Sequence, residues 1–184
     1  MKKWIVILLA VAIAGGGTFV YYARSNNSEP LAVGATAPAL TTTGALAGKE
    51  FQFSLADKLK DGPVVLYFFP KAFTEGCTIE ANMFADATAE FNAAGATVIG
   101  MSGDDIEGLK KFSVSECRDK FAVARADDKI IEAYQVRMSP GLAMTNRTSY
   151  VIDREGRIVF VHSATKPQGH VTGTLAKVKA LSKS

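Results

Sequence analysis

Cysteine is scarce in this chain. Its 184 residues contain two, Cys77 and Cys117. A domain of ~150 residues buries roughly two-thirds of its unfolded surface and stands without a disulfide framework, so both thiols are free for other work. Histidine is equally scarce. His162 and His170 belong to no C-x-x-C, H-x-x-x-H or carboxylate cluster, so no metal site is expected. No cofactor motif is present either: Gly100-Met-Ser-Gly103-Asp-Asp comes after an apolar run but lacks the spacing of a nucleotide loop. An excess of one charge is also missing. Without Lys2 and Lys3, 19 basic residues face 18 acidic ones, which gives no electrostatic reason to expect a nucleic-acid partner. Beyond the first thirty residues there is no internal repeat and no low-complexity run.

One long apolar run is present. Trp4 to Ala23 form a 20-residue stretch without a charge, preceded by Lys2 and Lys3 and followed by Arg24. Twenty helical residues span ~30 Å, the thickness of a bilayer core. Trp4, Tyr21 and Tyr22 sit at its ends, where aromatic side chains favour the interface. Residues 1–24 therefore read as a membrane anchor or a signal segment. The positive-inside rule sends the rest of the chain to the extracytoplasmic, periplasm-like side. Ala12-Ile13-Ala14 has the form of a cleavage site, so a protein secreted to the same compartment is the alternative. Residues 25–30 are polar and read as a linker, leaving 31–184 as the folded domain. Both readings place the domain where a cysteine pair can cycle between thiol and disulfide.

Within the domain the hydrophobic period alternates between strand and helix. Phe51-Gln-Phe-Ser-Leu alternates like a strand. Val64 to Phe69 is a continuous apolar run, the mark of a strand buried on both faces, and Pro70 stops it. From Cys77 the period changes: Ile79, Met83, Ala87 and Phe91 recur every four residues and predict a helix face, closed by Gly95. Ala96 to Met101 predicts a strand. Asp104 or Asp105 then caps a helix running to about Cys117. Phe121-Ala-Val-Ala predicts a short strand, and Asp128 to Tyr134 a short helix. Ser149 to Asp153 and Arg157 to Val161 flank a turn as a hairpin, and His170 to Leu181 predicts the last helix. Strands alternating with helices, then a hairpin, imply a three-layer α/β/α domain with a central mixed sheet.

The order buried strand, Pro70, loop, Cys77, helix places Cys77 in a first helical turn. N–H groups there lack intrahelical partners and the helix dipole favours an anion, so the position favours the thiolate, the nucleophilic form. Thr74 lies three residues earlier with a hydroxyl to offer the sulfur or an incoming oxygen. Pro70, with fixed φ and no N–H, shapes a pocket wall.

Pro70-Lys-Ala-Phe-Thr74-Glu-Gly-Cys77 resembles the P-x-x-x-T-x-x-C signature of peroxiredoxins. The longer string from Tyr67 to Glu80 is similar to the Q-type, or bacterioferritin-comigratory, branch. Val33-Gly-Ala-Thr-Ala-Pro38 resembles that family's opening segment, and Arg147-Thr-Ser-Tyr-Val-Ile-Asp153 its arginine-bearing strand. The resemblance implies a thioredoxin-like fold and a thiol-specific peroxidase acting on hydrogen peroxide and organic hydroperoxides. It implies Cys77 as the peroxidatic cysteine, Thr74 and Arg147 as groups that hold the peroxide oxygens and stabilise the thiolate, and Pro70 as a shield against solvent. It also implies a thioredoxin-like or other thiol reductant as partner, and a monomer or weak dimer.

Many Q-type members carry a second cysteine five residues after the first. Asn82 stands at that position here. Other members resolve through a cysteine further on, which makes Cys117 the candidate partner in a Cys77–Cys117 disulfide, against the alternative that it packs inertly. A disulfide requires Cα atoms within ~7 Å, so two helices would need a local opening. Two other functions stay open. A thiol–disulfide oxidoreductase on the same fold would want C-x-x-C, which Cys77-Thr-Ile-Glu80 does not supply. A non-catalytic binding module would use the two cysteines only as a structural pair.

Overall fold

The computed structural model describes residues 29–183. Seven strands form one sheet: β1 (Thr41–Leu46), β2 (Lys49–Ser54), β3 (Val64–Phe68), β4 (Thr97–Ser102), β5 (Ala122–Arg125), β6 (Thr148–Ile152) and β7 (Ile158–Ser163). Their order across the sheet is β2-β1-β5-β4-β3-β6-β7. The central β3, β4 and β5 run parallel, while β1, β2, β6 and β7 pair antiparallel on the flanks. Parallel neighbours need helical crossovers, and helices α2 (Glu75–Ala93) and α3 (Ile106–Ser115) supply them. Two short helices, α1 (Leu55–Asp61) and α4 (Asp128–Ala133), and the terminal α5 (Gln168–Leu181) complete the chain.

All five residues of β3 are buried, as its unbroken apolar run requires. Val65, Tyr67 and, just past the strand, Phe69 face α2, α3 and α5. Val64, Leu66 and Phe68 face α1 and α4. The domain is therefore the expected three-layer α/β/α sandwich with a mixed sheet. Ser54, Asp105 and Asp127 each cap a helix, their side chains accepting from the N–H of Asp57, Gly108 and Ile130 respectively.

Three expectations need correction. The first concerns placement in the cell. Residues 1–24, expected to be the membrane segment, and the start of the 25–30 linker lie outside the described residues. No helix among the described residues is long and apolar enough to cross a membrane. With no spanning helix in the described fold, the expected placement of the domain at a membrane's outer face falls.

The second concerns the face of α2. Its buried residues are Cys77, Glu80, Ala81, Phe84, Ala85, Thr88 and Phe91, while Ile79 is exposed. A four-residue step turns 400°, so a line of such steps drifts ~40° each time, and Ile79 and Phe91 end on different sides. The true stripe keeps to the 3.6 period and includes a carboxylate.

The third concerns two elements that the hydrophobic pattern did not mark, β1 and α1. β1 reads Thr-Thr-Thr-Gly-Ala-Leu, without apolar alternation. α1 has seven residues, too few for periodicity to register.

Candidate active site

Pro70 ends the β3 chain path, and the loop between it and α2 is fixed from two sides. The N–H of Ala72 donates to Asp104 Oδ2 at 2.7 Å, and Ser102 Oγ donates to the same oxygen at 2.7 Å. Thr145 Oγ1 donates to the Phe69 carbonyl at 2.8 Å. Phe73 adopts φ +63°, an uncommon region for a bulky side chain, and its ring meets Phe112 edge-on at 5.3 Å. This kink turns the chain into α2 with Thr74 as N-cap. Cys77 is the third residue of the helix, its N–H donating to the Thr74 carbonyl at 3.0 Å. The N–H groups at Thr74, Glu75 and Gly76 have no intrahelical partner by the geometry of a helix start.

Arg147 reaches this turn from just before β6. Its Nη2 donates to Cys77 Sγ at 3.4 Å, its Nε donates to the Thr165 carbonyl at 3.1 Å, and its Nη1 pairs with Glu80 Oε2. The guanidinium is thus held on three sides with one N–H aimed at the sulfur. Gly76 makes the approach possible, since a Cβ there would stand 3.1 Å from Nη2. Cys77 is 1% exposed.

Of the five site residues expected from the sequence, the structure brings four to one place. Cys77 and Arg147 are in contact. Pro70 and Thr74 bracket the loop between β3 and α2. The Thr74 hydroxyl donates to the Lys71 carbonyl at 2.9 Å, which leaves its lone pairs, not its proton, for a ligand. The fifth, Cys117, lies two residues past the end of α3, wholly buried in the same core cluster as Cys77. Both thiols are free. Asn82 Nδ2 donates to Glu116 Oε2 at 3.3 Å, so the residue before Cys117 reaches α2 at the position where a C-x4-C partner would stand. Burial pushes the Cys117 thiol well above its ordinary range, with Glu116 and Asp119 adding to the effect.

A buried polar group behind Arg147 is not marked by the apolar pattern. Glu80 is fully buried, and burial pushes its carboxyl up to about 8 despite the opposing pull of Arg147. Its Oε1 has no hydrogen-bond partner among the described residues and lies 3.9 Å from His170 Nδ1. His170 is wholly buried too, and burial lowers it to about 4. Its Nε2 faces the Ala164 carbonyl at 2.9 Å and must donate there, so Nδ1 accepts from Ser149 Oγ at 2.9 Å. The signal available in the sequence is position: Glu80 stands three residues after Cys77, on the same helix face. The loop from Met138 to Thr145 packs its Ala143 carbonyl against Gly103, where a Cβ would come within 1.9 Å. It therefore backs the Asp104 anchor of the loop before α2.

Residues 33–161 match the AhpC/TSA family. The chain is 32% identical over 151 residues to a putative peroxiredoxin bcp of Coxiella burnetii, covering 79% of this chain and 97% of that one. It is 34% identical over 125 residues to the chloroplastic peroxiredoxin Q of Suaeda salsa, covering 67% of this chain. The match spans only 58% of that relative's length. Among solved structures it resembles the peroxidoxin BcpB of Mycobacterium tuberculosis, with a TM-score of 0.71 and 30% identity over 81% of this chain and 97% of that one. A sulfur at a helix N-terminus beneath an arginine, on this sheet, agrees with all three likenesses: the chain belongs to the AhpC/TSA family, among its peroxiredoxins of the Q and Bcp type.

Proposed function

We propose that this chain is a thiol peroxidase that reduces hydrogen peroxide and organic hydroperoxides through Cys77. The observation that carries the reading is the Arg147 guanidinium 3.4 Å from Cys77 Sγ at the first turn of α2. Positive charge from Arg147 and from the helix N-terminus meets at one sulfur. The thiolate attacks one peroxide oxygen, the O–O bond breaks, and its electron pair leaves with the other oxygen as water or an alcohol. Cys77 becomes a sulfenic acid. Negative charge develops on the departing oxygen, and the fixed Arg147 fork and the open N–H groups of the loop are preorganised to meet it. Thr74 accepts the hydrogen bond of the bound hydroperoxide, and Pro70 limits water at the sulfur.

Cys117 resolves the sulfenic acid in this reading, and a thioredoxin-like or other small thiol reduces the resulting disulfide. The Asn82–Glu116 hydrogen bond supports it, because the residue next to Cys117 reaches α2 where a local partner would stand. Because both thiols are buried, the first turn of α2 opens during the cycle.

The test is a peroxide-consumption assay with a thiol reductant, together with a count of free thiols after one equivalent of peroxide. Cys77→Ser abolishes consumption. The parent loses two thiols and Cys117→Ser loses one. Consumption that survives Cys77→Ser would refute the peroxidase reading, and loss of one thiol in the parent would refute the role of Cys117. Disulfide exchange without peroxide use would instead identify an oxidoreductase.

A further inference from the structure

The turn that holds Arg147 is itself held from inside the fold. Arg147 Nε donates to the Thr165 carbonyl at 3.1 Å, and the Arg147 carbonyl accepts from the Ala164 N–H at 3.3 Å. Two adjacent residues of the turn between β7 and α5 thus grip the arginine at its side chain and at its backbone. Thr165 is exposed, and a surface turn by itself is a loose support. Its inner anchor is His170, in the first turn of α5. This side chain is wholly buried, and its Nε2 donates to the Ala164 carbonyl at 2.9 Å.

The aim of that bond is set on two further sides. Ser149 Oγ lies 2.9 Å from Nδ1 and donates to it, which keeps the ring proton on Nε2. The ring of His162 meets His170 edge-on with centroids 4.5 Å apart. His162 is in turn seated over Gly169, where a Cβ would stand 2.4 Å from its Nε2. A buried imidazole costs more than an apolar side chain of like size, so the ring needs a reason. A continuous line of contacts runs from it to the sulfur. His170 Nε2 holds the Ala164 carbonyl, and one peptide unit on, the Thr165 carbonyl holds Arg147 Nε. The guanidinium is a rigid plane, so the place of Nε sets the direction of Nη2, which stands 3.4 Å from Cys77 Sγ.

We propose that His170 is a positioning residue for peroxide reduction: by holding the Ala164 carbonyl it fixes the Thr165 carbonyl, and through it the direction in which Arg147 presents Nη2 to Cys77 and the peroxide. The proposal rests on the reading of Cys77 and Arg147 given above. His170 acts only through the fork. A histidine that merely ties α5 to the sheet would serve the fold with either nitrogen, whereas this role belongs to the donor at Nε2.

Two variants separate the ring's nitrogens. His170→Gln carries an amide N–H to the place of Nε2 and can still donate to Ala164. His170→Asn carries one only as far as the place of Nδ1 and cannot. Both are read in the cold, with circular dichroism as the check of folding. The measurements are single-turnover oxidation of Cys77 by hydrogen peroxide, followed by rapid-quench alkylation and mass spectrometry, and hydrogen exchange at Arg147 Nε–H by NMR. The Asn variant should slow oxidation about tenfold and open Arg147 Nε–H to exchange, and the Gln variant should recover both to within about twofold of the parent. In an Arg147→Lys chain the fork is already gone, so adding His170→Asn should slow oxidation by no more than about twofold further. Parent-rate oxidation in the Asn variant overturns the proposal, as does a Gln variant slowed as far as Asn. A slowing that persists undiminished in the Arg147→Lys chain overturns it too, since the ring would then be acting on something other than the fork. The parent supplies a test without any variant. Its Arg147 Nε–H should exchange far more slowly than that of free arginine, and exchange at the free rate overturns the proposal. A parent whose Cys77 is not oxidised fails earlier, at the peroxidase reading, and takes the positioning role with it.

Discussion

Stability against pH tests the buried pair behind the sulfur. Burial holds Glu80 at about 8, against an ordinary value of 4.5, and holds His170 at about 4, against 6.5. Unfolding returns both to their ordinary values. Between pH 4.5 and 8 the folded chain keeps a Glu80 proton that the unfolded chain has released, so stability falls as pH rises through that window. Between pH 4 and 6.5 the unfolded chain binds a His170 proton that the folded chain refuses, so stability rises with pH there. Each slope is roughly 1.4 kcal/mol per pH unit. The two cancel from 4.5 to 6.5, and Glu80 acts alone from 6.5 to 8. The unfolding free energy should therefore be flat across the lower window and then drop by about 2 kcal/mol. Above pH 8 the buried Cys117 thiol adds a fall of the same sign, so the comparison stops there. Glu80→Gln keeps an acceptor for Arg147 and cannot ionise, so its stability should hold level from 6.5 to 8. Urea denaturation of the reduced protein, followed by circular dichroism across these pH values, measures both. A parent that stays level from 6.5 to 8, or a Gln variant that falls as the parent does, refutes a carboxyl held neutral by burial.

Two further predictions concern the fork at the sulfur. Arg147→Lys replaces a planar group that meets Cys77, Glu80 and the Thr165 carbonyl together with a point charge that cannot. Single-turnover oxidation of Cys77 should slow by about 10²–10³-fold, and oxidation at the parent rate would refute the role of the fork. Gly76→Ala places a Cβ 3.1 Å from Nη2 and pushes the guanidinium away by a few tenths of an ångström. Oxidation should slow on the order of tenfold, while the melting temperature holds or rises because alanine is the better helix former. A variant that loses stability and keeps its rate would refute the close approach.

The fold was legible wherever burial was uniform. β3 and β4 are buried on both faces, and their unbroken apolar runs marked them. The helix after Asp105 was marked by a cap whose side chain does bond the first turn. β1 was not legible because its position comes from its partners. Its Gly44 accommodates the Phe51 ring of β2, which would clash at 2.8 Å with a Cβ, and Thr42 bonds the Arg125 carbonyl beside β5. Neither fact leaves a periodic trace in Thr-Thr-Thr-Gly. The Cys77 turn was legible as local order, strand then loop then helix. Arg147 was not, because 70 residues separate it from the sulfur it touches; only resemblance to a family joined them.

The residues missed at the site share one property. Glu80 and His170 are polar groups inside the core, and patterns built on apolar periodicity treat a carboxylate in a helix as a solvated face. A stripe traced through apolar residues alone put the predicted face of α2 onto exposed Ile79. With Glu80 counted inward, Cys77, Glu80, Ala81, Phe84, Ala85, Thr88 and Phe91 fall on one stripe. The same residue then explains two things. It shares the inward face of α2 with Cys77, so that one guanidinium meets both, and its carboxyl oxygen holds the far side of that guanidinium. A buried carboxyl costs stability that an apolar residue at 80 would not. That cost is offset only where the orientation of Arg147 matters, which is at the sulfur.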